Sequence, residues 1–152
     1  RMLVMNKLIV LVSLCASLLA FNATANTAKQ VEILDFGGND NYPFSSAARV
    51  GNLLFMSGAL GIAPGADGPV PGGIRAEARQ TMENIKANAK ASGYEMQNII
   101  KCTVFLADMS EWAAFNDVYR TYFNKPYPAR SAVAVRGLAA DARVEVECIA
   151  AK

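Results

Sequence analysis

The 152-residue chain contains no histidine. This absence excludes Ser-His-Asp and Cys-His catalysis, histidine metal sites and the side chain that most often carries protons near neutral pH. The only two cysteines outside the first 25 residues, Cys102 and Cys148, have a spacing that fits no zinc pattern. Any chemistry must therefore use carboxylates, arginine, hydroxyl groups, backbone groups and water.

The sequence also lacks an apolar run long enough for a typical membrane-spanning helix, which needs about 18 residues. A shorter run, from Leu8 to Phe21, follows the basic start at Lys7 and precedes the small residues that end at Ala25. This pattern is typical of a cleaved secretory signal. We expect residues 1–25 to be a signal peptide, residues 26–152 to form one mature domain, and the protein to be periplasmic or secreted.

An excess of positive charge is absent from the predicted mature domain. Cleavage removes Arg1 and Lys7, which leaves 13 basic and 13 acidic residues. Nucleic acids and acidic membranes attract concentrated positive charge. The sequence therefore predicts neither nucleic acid nor, after signal cleavage, a membrane as a partner.

Cys102 and Cys148 both lie in apolar, strand-like runs. An oxidising compartment would permit a disulfide between them. Buried free thiols are the commoner state of such residues, and the sequence favours them. The redox state stays open at this level.

Hydrophobic residues make up 53% of the chain, which is enough for a sizeable core. Apolar residues recur every three or four positions in two segments and predict two helices, one from Ile74 to a stop at Gly93 and one along Trp112, Phe115, Tyr119 and Phe123. Strands are predicted at 31–34, 47–50, 53–57, 99–106, 131–135 and 144–150. Two helices that each have one apolar stripe indicate an α+β domain, with a mixed β-sheet and both helices packed on one face. The other face is also apolar and is expected to be buried by oligomerisation.

Two polar clusters flank predicted strands. Arg130 enters a strand directly after Pro128, and its guanidinium matches a carboxylate in two parallel hydrogen bonds. Glu145 and Glu147 alternate with valines and so share one face of their strand, where one carboxylate could hold a water or move a proton. The placement of these residues fits surface salt bridges and solvated edge charges at least as well.

Two further positions are candidates for ligand contact. Ser57-Gly58 ends a hairpin strand, where the backbone could approach a ligand closely. Asn116 lies on the second predicted helix beside its aromatic stripe, although such a position is more often simply on the helix surface. The aromatic residues of that helix are more often core than ligand contacts.

Together these segments resemble the RidA family, also called the reactive intermediate deaminase or L-PSP family. The resemblance covers residues 42–152. It rests on seven blocks in the family's order: Tyr42-Pro43-Phe44-Ser45-Ser46, Gly51-Asn52-Leu53-Leu54-Phe55-Met56-Ser57-Gly58, Ala78-Arg79-Gln80-Thr81-Met82-Glu83-Asn84-Ile85, Lys101-Cys102-Thr103-Val104-Phe105-Leu106-Ala107-Asp108, Phe115-Asn116-Asp117-Val118-Tyr119, Pro128-Ala129-Arg130-Ser131 and Val144-Glu145-Val146-Glu147.

The resemblance implies a chorismate-mutase-like fold and a homotrimeric barrel with a cleft between each pair of subunits. It implies metal-independent hydrolysis of small 2-imino and 2-enamino acids, of the 2-aminoacrylate type, to 2-oxo acids and ammonia. No cofactor is implied. Arg130 matches the position that binds the substrate carboxylate, and Glu145 the position that orients water. Ser57, Gly58 and Asn116 match other positions in the cleft.

The sequence departs from the family pattern at four cleft positions. Phe44 replaces the usual tyrosine, so that a hydroxyl is lost from the predicted substrate-binding surface. Ser46 and Ala59 stand where glutamine is common, and Ala132 where many members have cysteine. These changes predict an altered substrate preference or, as the alternative function, a non-catalytic module that binds small carboxylates. The ribonuclease role of some relatives fits poorly with the predicted neutral, exported domain.

Overall fold

A computed structural model describes residues 30–37 and 42–152. The predicted signal peptide lies outside these residues. The strands are β1 (Val31–Leu34), β2 (Ala47–Val50), β3 (Leu53–Met56), β4 (Ala59–Leu60), β5 (Ile99–Leu106), β6 (Ala129–Ala134) and β7 (Val144–Ala151), and the helices are α1 (Gly73–Ala91) and α2 (Trp112–Tyr119). In the described ranges, no helix combines the length and apolar character needed to cross a membrane.

The strands form one mixed sheet in the order β1-β2-β3-β7-β5-β6, with the short β4 also paired to β7. β5 and β6 run parallel, whereas the other paired strands are antiparallel. Both helices pack on the same face of this sheet. The predicted α+β architecture is therefore confirmed.

α1 buries the stripe that its sequence predicts. Ala78, Met82, Ile85 and Ala89 are fully buried, because apolar residues three or four positions apart share one side of a helix. The helix ends before Gly93, whose φ of 81° is in the region that favours glycine.

One face of the sheet is covered by the helices, and the other face is open to solvent. Leu54, Val104 and Val146 point towards the helices and are completely buried. On the other face, Phe55 and Val133 keep 41% and 44% of their surface exposed. The apolar open face predicted from the sequence is therefore present on the single chain.

The buried carboxylate of Glu77, on α1, fixes the segment that leads into β7. It accepts a hydrogen bond of 2.7 Å from the backbone N–H of Arg143. Arg143 also forms an ion pair with Glu111. The chain is thus held at Arg143, directly before the start of β7 and two residues before Glu145.

The favoured prediction of free thiols was wrong. Cys102 and Cys148 form a disulfide between β5 and β7, where they are paired directly opposite each other. Their sequence separation of 46 residues gives no hint of this register. Both residues are buried in the core.

The second helix differs from its prediction at both ends. Its α-helical part stops at Tyr119 and continues as the 3₁₀ turn Arg120–Tyr122. Phe115 and Tyr119 are buried as expected, but Trp112 is 44% exposed. Trp112 stands at the first turn of α2 and lines an open cavity instead of the core.

Candidate active site

Arg130 lies on the edge strand β6 and points towards the helix layer. It is paired with Cys102 of β5, whose side chain is buried on that face. Its guanidinium carbon lies 4.7 Å from the centre of the Tyr119 ring and 5.7 Å from that of Phe115. These cation–π contacts hold the arginine against α2 and leave its donors to bind other groups. We call Arg130, Tyr119 and Asn116 the arginine cluster.

The arginine cluster borders an open cavity of about 480 Å³. Its lining consists of aromatic, cationic and polar residues: Trp112, Asn116, Tyr119, Arg120, Lys125, Tyr127, Pro128 and Arg130. Among the described residues, no carboxylate forms a salt bridge with Arg130. The surface salt bridge that the sequence allowed for Arg130 is therefore not formed within this part of the chain.

Two buried polar atoms in the arginine cluster have no hydrogen-bond partner among the described residues. They are Asn116 Oδ1 and the hydroxyl of Tyr119. Burial raises the pKa of Tyr119 to about 12, so its hydroxyl keeps its proton at neutral pH. Unsatisfied buried groups are costly and need a partner, such as a ligand, water or another chain.

Glu145 lies on β7 beside Gly58. A Cβ built on Gly58 would collide with Oε1 of Glu145 and would lie 2.9 Å from its Cδ. Glycine is thus required for the carboxylate to occupy its position. We call Glu145, Gly58 and the adjoining Ser57 the glutamate cluster.

Two hydrogen bonds from Ser57 hold the segment before β2, residues 42–46, which we call the arm. The Ser57 hydroxyl donates a hydrogen bond of 2.6 Å to the carbonyl of Ser45, and its backbone N–H donates one of 3.1 Å to the carbonyl of Ser46. This places Phe44 next to the cluster, where its ring is 62% exposed and stacks on Tyr42 at 5.3 Å. Ser57 was predicted to contact substrate; its hydroxyl proton is engaged in holding the arm, and its oxygen is left to accept a hydrogen bond.

Partial burial, assisted by the nearby charge of Glu147, raises the pKa of the Glu145 carboxyl above its usual value. Both glutamates point to the open face, as their alternation with Val144 and Val146 predicts. A carboxylate with a raised pKa is a stronger base than an ordinary one. Glu145 is therefore suited to take up and return a proton.

The two clusters do not meet within one chain. Arg130 is paired with Cys102 and Glu145 with Phe105, on opposite sides of β5. Cys102 and Phe105 are an odd number of residues apart, so they and their partners point to opposite faces. The single chain brings Asn116 to Arg130 and brings Gly58, with the adjoining Ser57, to Glu145, but leaves these two sets apart.

Four residues that line the cavity were not predicted as site residues from the sequence: Tyr119, Trp112, Lys125 and Tyr127. The aromatic spacing of α2 indicated a core stripe, which Tyr119 also serves. Lys125 and Tyr127 lie in the loop before β6, and loop positions carry no periodicity from which contacts can be inferred. Within the ranges 30–37 and 42–152, no group of three or more acidic or cysteine side chains is placed to hold a metal ion.

The sheet, the two helices on one face and the separate arginine and glutamate clusters define a small α+β domain with candidate binding groups on both sides of one sheet. A profile of the Endoribonuclease L-PSP family matches residues 39–152. The chain belongs to this family, which is the RidA family that the sequence resembles.

Three relatives illustrate the match. The 2-iminobutanoate/2-iminopropanoate deaminase of Capra hircus is 44% identical over 108 residues, which are 71% of this chain and 79% of the relative. The crystal structure of RidA from an Antarctic Psychrobacter has a TM-score of 0.72 at 35% identity and covers 82% of this chain and 98% of its own. The structure of Escherichia coli TdcF with bound serine has a TM-score of 0.72 at 32% identity, with 80% and 98% covered. The predicted family and fold are thus confirmed.

Proposed function

We propose that this protein hydrolyses small 2-imino and 2-enamino acids to 2-oxo acids and ammonia. The observation that carries the proposal is the guanidinium of Arg130, held against Tyr119 beside an open cavity without a carboxylate partner among the described residues. The deaminase names of relatives such as the one from Capra hircus support the same reaction class.

The reaction needs only a few catalytic groups, because an imine carbon is already electrophilic. Arg130 binds the substrate carboxylate through two parallel hydrogen bonds and fixes the imine carbon in place. Glu145 accepts a proton from a water molecule as the water oxygen bonds to that carbon, and the electron pair of the C=N π bond moves to the nitrogen, which takes a proton from solvent. The protonated Glu145 then gives its proton to the amine nitrogen of the amino alcohol as the C–N bond breaks. The hydroxyl oxygen forms the new C=O bond and releases its proton to solvent, so that ammonia and a 2-oxo acid leave and the Glu145 carboxylate is restored.

This mechanism requires the two clusters to face each other, and a second copy of the chain would provide that arrangement. We infer a homotrimer in which Arg130 of one subunit and Glu145 of the next share a cleft. The exposed apolar side chains of the open face, such as Phe55 and Val133, support self-association because large uncovered patches of this kind commonly mark an interface. The unpartnered atoms of Asn116 and Tyr119 would then lie where the partner or the substrate can satisfy them.

The experiment generates imino acids in situ from several amino acids and records 2-oxo acid release with and without residues 26–152. The proposal expects release well above the spontaneous rate. If no imine is hydrolysed faster by an oligomeric, folded protein, deamination is rejected. Saturable carboxylate binding in that same protein would establish the non-catalytic binding module.

We further propose that the protein is exported through its N-terminal segment. The disulfide between Cys102 and Cys148 supports this location, since disulfides persist in oxidising compartments and are rare in the cytosol. Expression of the full chain in a Gram-negative host is expected to yield periplasmic protein whose intact mass begins at Asn26. Uncleaved protein that stays in the cytoplasm would refute this.

A further inference from the structure

The cavity beside Arg130 is larger than a three-carbon imino acid requires. Its volume of about 480 Å³ falls among pockets of roughly 300–1,000 Å³ that hold drug-sized ligands. Since one carboxylate would satisfy Arg130, the rest of the cavity is shared between the substrate's side chain and the neighbouring subunit that closes the proposed cleft.

All the charged residues that line the cavity are cationic. Arg120, Lys125 and Arg130 all border the cavity, and none of the lining residues is acidic. Positive charges gathered around a concave surface favour anionic ligands. The cavity therefore favours a ligand with more negative charge than one carboxylate provides.

Of the two additional cations, Arg120 is already engaged. Its Nε donates a hydrogen bond of 3.2 Å to the carbonyl of Asn116, and a terminal nitrogen lies 3.4 Å from a carboxylate oxygen of Asp117. Lys125 has neither a hydrogen bond nor a salt bridge with any residue in 30–37 or 42–152. Lys125 is therefore the cation left to meet a second anionic group.

We propose that Lys125 is a specificity-determining residue that binds the side-chain carboxylate of a dicarboxylic imino acid while Arg130 binds the carboxylate next to the imine carbon. The preferred substrates are then imines of acidic amino acids. This inference rests on the proposed deaminase function. Tyr127 and Trp112 also line the cavity, and neither side chain adds negative charge at neutral pH.

The test compares imines made from glutamate, alanine and leucine, with wild-type protein and the variants Lys125→Met and Lys125→Arg. Wild-type kcat/KM is expected to be highest for the glutamate-derived imine. Lys125→Met should lower that value about tenfold through KM, the change that one charge-assisted hydrogen bond supports. It should lower the value for the alanine-derived imine far less, so that the preference is lost, and Lys125→Arg should keep most of the preference.

A binding measurement separates the inference from the proposed function. Calorimetry with 2-oxoglutarate and pyruvate reports carboxylate binding whether or not catalysis occurs, and tighter, Lys125-dependent binding of 2-oxoglutarate supports the inference. Hydrolysis of alanine- and leucine-derived imines with no glutamate preference and no effect of Lys125→Met overturns the inference alone. Equal binding of both 2-oxo acids to wild type and Lys125→Met also overturns it.

Discussion

Replacing Arg130 with alanine is expected to reduce kcat/KM for imine hydrolysis by about 100- to 1,000-fold, because two charge-assisted hydrogen bonds to the substrate carboxylate are lost. The rate of 2-oxo acid release across a range of imine concentrations measures this loss. The fold should persist, since Arg130 is on an edge strand and its visible contacts are those with the rings of Tyr119 and Phe115. Near-ultraviolet circular dichroism checks that point.

Arg130→Lys is the matched control for this prediction. Lysine keeps the positive charge but presents a point charge instead of a planar fork. Its activity should therefore lie between those of the wild type and Arg130→Ala. An Arg130→Ala protein as active as the wild type would show that the substrate carboxylate is bound elsewhere.

Replacing Gly58 with alanine is expected to lower kcat about 100-fold, as removal of a general base does. The new methyl group would occupy the place of the Glu145 carboxylate, which is the end of a flexible side chain and can swing away. The backbone itself tolerates alanine, because Gly58 is not among the glycines with positive φ. The variant should thus stay folded while it loses the position of its base.

Gly137→Ala provides the control for Gly58→Ala. A Cβ on Gly137 meets no atom within 4 Å, so activity and thermal stability should both be unchanged. Glu145→Gln gives the reference for complete loss of the base. If both Gly58→Ala and Glu145→Gln keep wild-type kcat, Glu145 takes no part in proton transfer.

The sequence predicts most of this fold because the relevant patterns are local. The spacing of Ala78, Met82 and Ile85 defines the buried face of α1, and the alternation in β7 puts Glu145 on the open face. Both properties follow from the period of the backbone and hold in the structure. The predicted bounds of the central strand at 99–106 are likewise those of β5.

What the sequence could not supply was long-range register. The disulfide depends on Cys102 facing Cys148 across two strands that are distant in the chain. Arg130 and Glu145 were predicted as catalytic residues of a cleft between subunits because both match cleft positions of the family. Only the register of β6 and β7 on either side of β5 shows that they point to opposite faces.

The contribution of the loop before β6 to the site could not be predicted for a related reason. Lys125 and Tyr127 reach the arginine cluster through the path of an irregular segment, which no hydrophobic period describes. Trp112 looked like a core residue because its spacing from Phe115 is helical. The helix begins at Trp112, however, and this end borders the open cavity.

The central claim is that Arg130 and Glu145 act together in a cleft between two subunits. Its most direct test co-expresses Arg130→Ala and Glu145→Gln chains with different affinity tags and purifies complexes that contain both. Each variant alone should keep about 1% of the wild-type activity or less, as expected from the losses given above for Arg130 and for the base. In any trimer that contains both variants, one of the three clefts pairs the native Arg130 of one chain with the native Glu145 of the other. We therefore expect about one third of the wild-type activity per complex. Mixed complexes as inactive as their parents, with both chains present in each, would contradict the shared cleft.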